Sequence, residues 1–155
     1  MQLKLYTELK NEIIKKLPSI KYVGLWNNQF THENVTVPFN YPCVFIGFNN
    51  ITYIDLLQGV QQCNMNVITY LGFESYKTDD IEILKVKQDL YRVVDGWEQG
   101  YWSKLQRSNE LQNFDHDNVQ CYEIVYNVTG KDFRGDLRPF TPVSATPSFT
   151  YEIPH

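Results

Sequence analysis

The chain has 155 residues, enough for one domain with a single core, and its 43% hydrophobic and 21% charged residues are globular rather than disordered proportions. The net charge of −4, with basic residues spread thinly and no run denser than Lys15-Lys16, argues against a nucleic-acid binder, which needs a concentrated basic surface. Aromatic residues make up 15%, a share that suits half-buried sheets and protein–protein interfaces, because rings bury much area at little entropic cost.

The first segment reads as an amphipathic helix. Leu5, Leu9, Ile13 and Leu17, joined by Tyr6 and Ile14, fall on one stripe, with Lys10, Asn11, Lys15 and Lys16 opposite. Pro18 and Ser19 end it, since proline disfavours helix in the residue before it. Lys21 to Trp26 reads as a short strand, Asn27 to Asn34 as a polar loop, and Val35-Thr36-Val37 before Pro38 stays ambiguous. Tyr41-Pro42 introduces the clearest strand, Cys43-Val44-Phe45-Ile46-Gly47-Phe48, apolar on both faces as a central strand covered on each side should be. Gly47 marks a bulge or the close approach of another backbone. Asn49-Asn50 turns the chain, and Ile51 to Gly59 reads as a short strand leading into a glycine turn.

Val60 to Phe73 is a long strand, in which Asn64, Asn66, Ile68 and Tyr70 alternate with Met65, Val67, Thr69 and Leu71. A second helix starts near Asp79, where Asp79 and Glu82 have the spacing of a capping box. Ile83, Val86, Leu90, Val93, Val94 and Trp97 then repeat at spacings of three and four, and Gly96 or Gly100 closes the helix. Lys104 to Phe114 and Val119 to Val128 read as antiparallel strands around the polar turn Asp115-His116-Asp117-Asn118, with Tyr122, Ile124, Tyr126 and Val128 sharing one face. Residues 131–155 contain four prolines, scattered Phe and Tyr, and no periodicity. The expectation is an α+β domain over residues 1–130, a mostly antiparallel sheet of four to five strands packed with two amphipathic helices. An extended C-terminal arm follows over residues 131–155.

Searches for chemistry return structural readings. Cys43, Cys63 and Cys121 lie far apart without a C-x-x-C pair, which suits free buried thiols in a reducing compartment. His32, His116 and His155 form no pair with metal-ligand spacing, and Asp115-His116-Asp117 is explained by turn chemistry. Asp79, Asp80 and Glu82 suit a helix N-terminus, where the dipole favours acids. Phosphate-cradling and serine-elbow patterns are missing. No catalytic residue, metal or cofactor is expected. The charged N-terminus MQLKLYTELK and the lack of a span-length apolar run lead to the expectation of a soluble protein made in the cytoplasm, with no membrane partner.

The order of these features resembles the tail-terminator and neck (head-to-tail completion) proteins of tailed bacteriophages. The N-terminal helix, Tyr41 to Phe48, Asp55 to Gln61 with Gly59-Val60-Gln61 running into Met65 to Leu71, the acidic-capped helix ending at Trp97, and the hairpin at Tyr122 to Val128 carry it. The resemblance covers about residues 1–130 in order and spacing. It implies a non-enzymatic virion protein, made in the host cytoplasm, that assembles with itself into a six- or twelve-fold ring in the neck or tail. Its neighbours would be portal, connector or tail proteins, and genomic DNA would only pass through its channel. Another small interaction or adaptor module, or a small enzyme with an unobvious site, is the alternative. Among the aromatics, Trp26, Phe39, Tyr101 and Trp102 are candidate anchors for the ring faces, while Trp97 is read as capping the helical core. Phe133, Phe140, Phe149 and Tyr151 along the arm are expected to reach a neighbouring subunit.

Overall fold

The four-residue recurrence of Leu5, Leu9 and Ile13 places all three under α1 (Gln2–Lys16), where each is buried. Glu12 and Lys16 pair on the solvent side, and Lys15 and Lys16 in the last turn complement the dipole. The computed structural model describes residues 1–31, 39–57, 59–75, 77–116 and 118–133. Within them follow β1 (Tyr22–Leu25), β2 (Cys43–Asp55), β3 (Val60–Glu74), α2 (Asp80–Val94), β4 (Gln106–Asn113) and β5 (Val119–Phe133).

One sheet, ordered β1-β2-β3-β5-β4, carries the fold. β1 runs parallel to β2, and the other neighbours are antiparallel. The α+β expectation holds. Alternation along the strands divides the sheet's side chains between two faces. Val44, Ile46, Met65, Val67, Leu71, Ile124, Tyr126 and Val128 share one core with Leu5, Leu9 and Ile13 of α1 and Ile83, Val86 and Leu90 of α2. Both helices therefore bury their stripes on the same side. Asp79 caps α2, its Oδ2 accepting from the Ile81 N–H at 3.2 Å. At the far end Gly96, at φ +76°, turns the chain and donates its N–H to the Leu105 carbonyl at 2.7 Å.

Two boundaries differ from the sequence expectation. Asn49-Asn50 does not turn the chain: the pairing of β2 with β3 skips between Asn49 and Thr52, and Asn50 sits at φ +50°. The asparagine chemistry that favours turns here absorbs an extra residue in a bulge, so one long strand replaces two short ones. The turn comes at Leu56–Val60, where the Leu56 N–H donates to the Val60 carbonyl at 2.8 Å and Gly59 has φ +79°. β5 continues past Val128 and past the expected domain boundary at residue 130, because β3 offers it a partner as far as Val60, which faces Phe133.

The second face is covered at its β1 end by rings rather than by a helix. Trp26 stacks on Tyr70 with centroids 4.0 Å apart, and Phe30 lies edge-on to Phe45 at 5.4 Å. Phe30 presses against Gly72, where a Cβ would come within 2.5 Å of its ring. Phe39 packs on Phe45 at 5.1 Å, and the buried His116 ring meets Phe30 at 5.6 Å. Trp26 and Phe39, expected as interface anchors, thus pack within their own chain, Trp26 over Gly47 and Tyr70 and Phe39 on Phe45.

Truncating Leu9, which is fully buried between helix and sheet, to Ala should cost about 3 kcal/mol. Urea unfolding of Leu9→Ala checks this, and an unshifted midpoint would contradict the packing described.

Candidate assembly surface

The sheet's two flanks are finished differently. On the β5 side, the loop after α2 covers the strand beyond the reach of β4. The Ser103 N–H donates to the Thr129 carbonyl at 2.7 Å, the Lys131 N–H to the Tyr101 carbonyl at 3.3 Å, and Trp102 bridges to Gly130. On the β2 side, β1 pairs only with residues 43–46, and the Trp26 N–H makes the last bond, to the Ile46 carbonyl at 2.9 Å. From residue 47 to residue 54, no strand lies along the outer edge of β2 among the described residues.

The direction of the peptide groups on that edge follows from the bonds at its ends. The Ile46 carbonyl faces β1, and alternate residues of a strand point the same way, so the N–H and C=O of Phe48 face outward. After the bulge the phase is set by Leu56, whose N–H faces β3, so Thr52 and Ile54 face β3 and Tyr53 faces outward. The side chains around this edge are apolar and exposed. Leu57 at the hairpin tip is 86% exposed, Ile54 52% and Tyr53 49%, with Ile51 and Leu56 also in solvent. Tyr53 sits opposite Cys63 on the helix side. On the reverse side Ile54 lies opposite Gln62 among polar neighbours: the Asn64 side-chain oxygen accepts from Gln62 Nε2 at 3.1 Å and from Thr129 Oγ1 at 2.9 Å. The hairpin is accompanied by β5 to its tip and exposes Ile51, Tyr53, Ile54, Leu56 and Leu57.

Tyr101, Trp102 and Phe133, singled out in the sequence, converge near the turn end of this hairpin, where Phe133 pairs with Val60. Tyr101 is 68% exposed, and its ring lies 5.0 Å from that of Phe133 at the end of β5. Together with Met1, Lys4 and Glu8 they line a shallow cleft of about 270 Å³. Trp102 corrects the expectation of an exposed anchor. It is only 8% exposed, because its indole lies flat on Gly130, where any Cβ would collide with the ring. Trp97 packs against the core as expected. Phe140, Phe149 and Tyr151 lie outside the described residues, as does most of the expected arm.

The three thiols are buried and free, and burial pushes each one up, Cys121 to about 12. They stay protonated and present no thiolate. Among the described residues no group of three His, Cys, Asp or Glu side chains is placed to hold a metal ion. No helix among them is long and apolar enough to cross a membrane. Sequence reading missed the hairpin margin of Ile51, Tyr53, Ile54, Leu56 and Leu57. The β-branched run Ile51-Thr52-Tyr53-Ile54 signalled a strand, but only the early end of β1 leaves that strand's flank open. No protein-family model matches the chain, and no curated protein is similar to it.

Replacing Gly130 by Ala should lift Trp102 off the strand, costing about 2 kcal/mol as an overpacked contact. Its tryptophan emission should shift to the red. Unchanged emission and stability would contradict the seat described for Trp102.

Proposed function

We propose that this chain is a structural subunit that closes with copies of itself into a ring in the neck or tail of a tailed phage. The ring sits at the end of the tail tube or between portal and tail, and its channel passes the genomic DNA. The single observation that carries the self-assembly is the β2–β3 hairpin, whose outer edge has no strand partner beyond residue 46 among the described residues and which exposes Ile54 and Leu57. Covering one Leu fully is worth about 2 kcal/mol, and a subunit that keeps such a margin in water has a use for it.

Ring closure needs two unlike faces meeting head to tail. The two flanks supply them: an apolar hairpin at β2, and at β4 a short polar strand whose Arg107 lies over the Tyr91 ring at 3.8 Å and ion-pairs with Glu110 at 3.3 Å. The order of elements that resembles the tail-terminator and neck proteins supports the placement in the virion. The net charge of −4 suits a channel that DNA must traverse without sticking.

The test is the mass of the full chain by light scattering across a concentration series, with negative-stain microscopy of the largest species. Closed rings are expected. The double variant Ile54→Lys, Leu57→Asp, changed only at exposed positions, should keep the fold by circular dichroism and lower the assembled fraction at least about tenfold. A chain that stays monomeric at every concentration, or rings indifferent to the double variant, would overturn the reading.

A further inference from the structure

We infer that residues 148–153 of one copy add as a strand to the open β2 edge of a neighbouring copy. This rests on the ring reading and names the contact that holds the ring together. Between Pro147 and Pro154 the sequence runs Ser148-Phe149-Thr150-Tyr151-Glu152-Ile153, in which apolar and polar residues alternate strictly. That is the period of a strand with one covered face, built from residues that favour strands. Both prolines fall just outside, where a missing N–H removes no ladder bond.

The edge matches it in length and in chemistry. Six residues need about 20 Å of strand, and residues 47–54 extend somewhat further. Phe48 and Tyr53 aim their peptide groups outward, and the side chains of both lie on the helix side of the sheet, opposite Val67 and Cys63. A strand docked with Phe149, Tyr151 and Ile153 on that side covers the Tyr53 ring. It leaves Ser148, Thr150 and Glu152 on the reverse side, beside Thr52 and Ile54. Main-chain bonds then provide the hold, and the alternate side chains fix the face.

On the ring reading, the edge that receives the strand belongs to a neighbour. β5 runs parallel to β2, and its last described residue, Phe133, is level with the hairpin turn at Val60. Two strands separate that point from its own β2 edge. Residues 134–147 can span at most about 45 Å, enough to reach an adjoining subunit.

Disulfide trapping between full-length copies tests this. One copy, labelled with ¹⁵N, carries Thr52→Cys, and the unlabelled copy carries Ser148→Cys, Thr150→Cys or Glu152→Cys in turn, so that each register is sampled. Mass spectrometry of the oxidised mixture should find a link between heavy and light copies at one of the three positions. Adding Tyr53→Pro, which removes an outward N–H and leaves the bonds to β3, should lower its yield about fivefold. Links only within a copy, or none at any position, would overturn the inference. The mass of the unlinked chain separates the two failures. Rings without the link leave the ring reading standing and remove the strand exchange, whereas a chain monomeric throughout removes both.

Discussion

The antiparallel pairing of β3 with β5, unbroken from Val60–Phe133 to Glu74–Val119, sets the position of everything else in the molecule. Each strand contributes fifteen residues, against thirteen in β2 and eight in β4. The half near Glu74 is wrapped by β1, β2, β4 and both helices. The half near Val60 outruns β1 on one flank and β4 on the other, and the fold must deal with two exposed margins there. An unpaired strand edge is a template for another chain unless something covers it.

The two margins receive opposite treatment. Beside β5, the turn that ends α2 at Gly96 brings Tyr101, Trp102 and Ser103 alongside, and Gly130 makes room for the indole. A glycine within a strand normally weakens it. Here it lets a loop seal the edge with a buried ring. Beside β2 there is no such seal among the described residues, and the bulge at Asn49–Thr52 turns the peptide groups of Tyr53 outward beyond it. One sealed and one open margin make the subunit directional, which is the property a head-to-tail ring requires.

Much of this was legible from residue order. The stripe Leu5–Leu9–Ile13, the alternation from Asn64 to Leu71 and the cap at Asp79 each rest on local periodicity or local hydrogen bonding, and each lies where it was read. What escaped depends on partners distant in sequence. Asn50 turns or bulges according to whether β3 waits opposite, and Trp102 is anchor or core according to whether Gly130 lies beneath it. Trp26 and Phe39 carry no local sign that Gly72, Phe45 and Tyr70 would gather them onto the sheet. The exposure of Ile54 and Leu57 was hidden for the same reason, since it depends on what packs over the hairpin.

The account's central claim is that copies meet along the open edge of β2. Hydrogen exchange of the Phe48 and Tyr53 amides, followed from dilute to concentrated full-length protein, addresses it directly. Both amides should exchange rapidly in the monomer and become protected in step with the rise in mass. An assembly that forms while both amides keep exchanging at the monomer rate would contradict it.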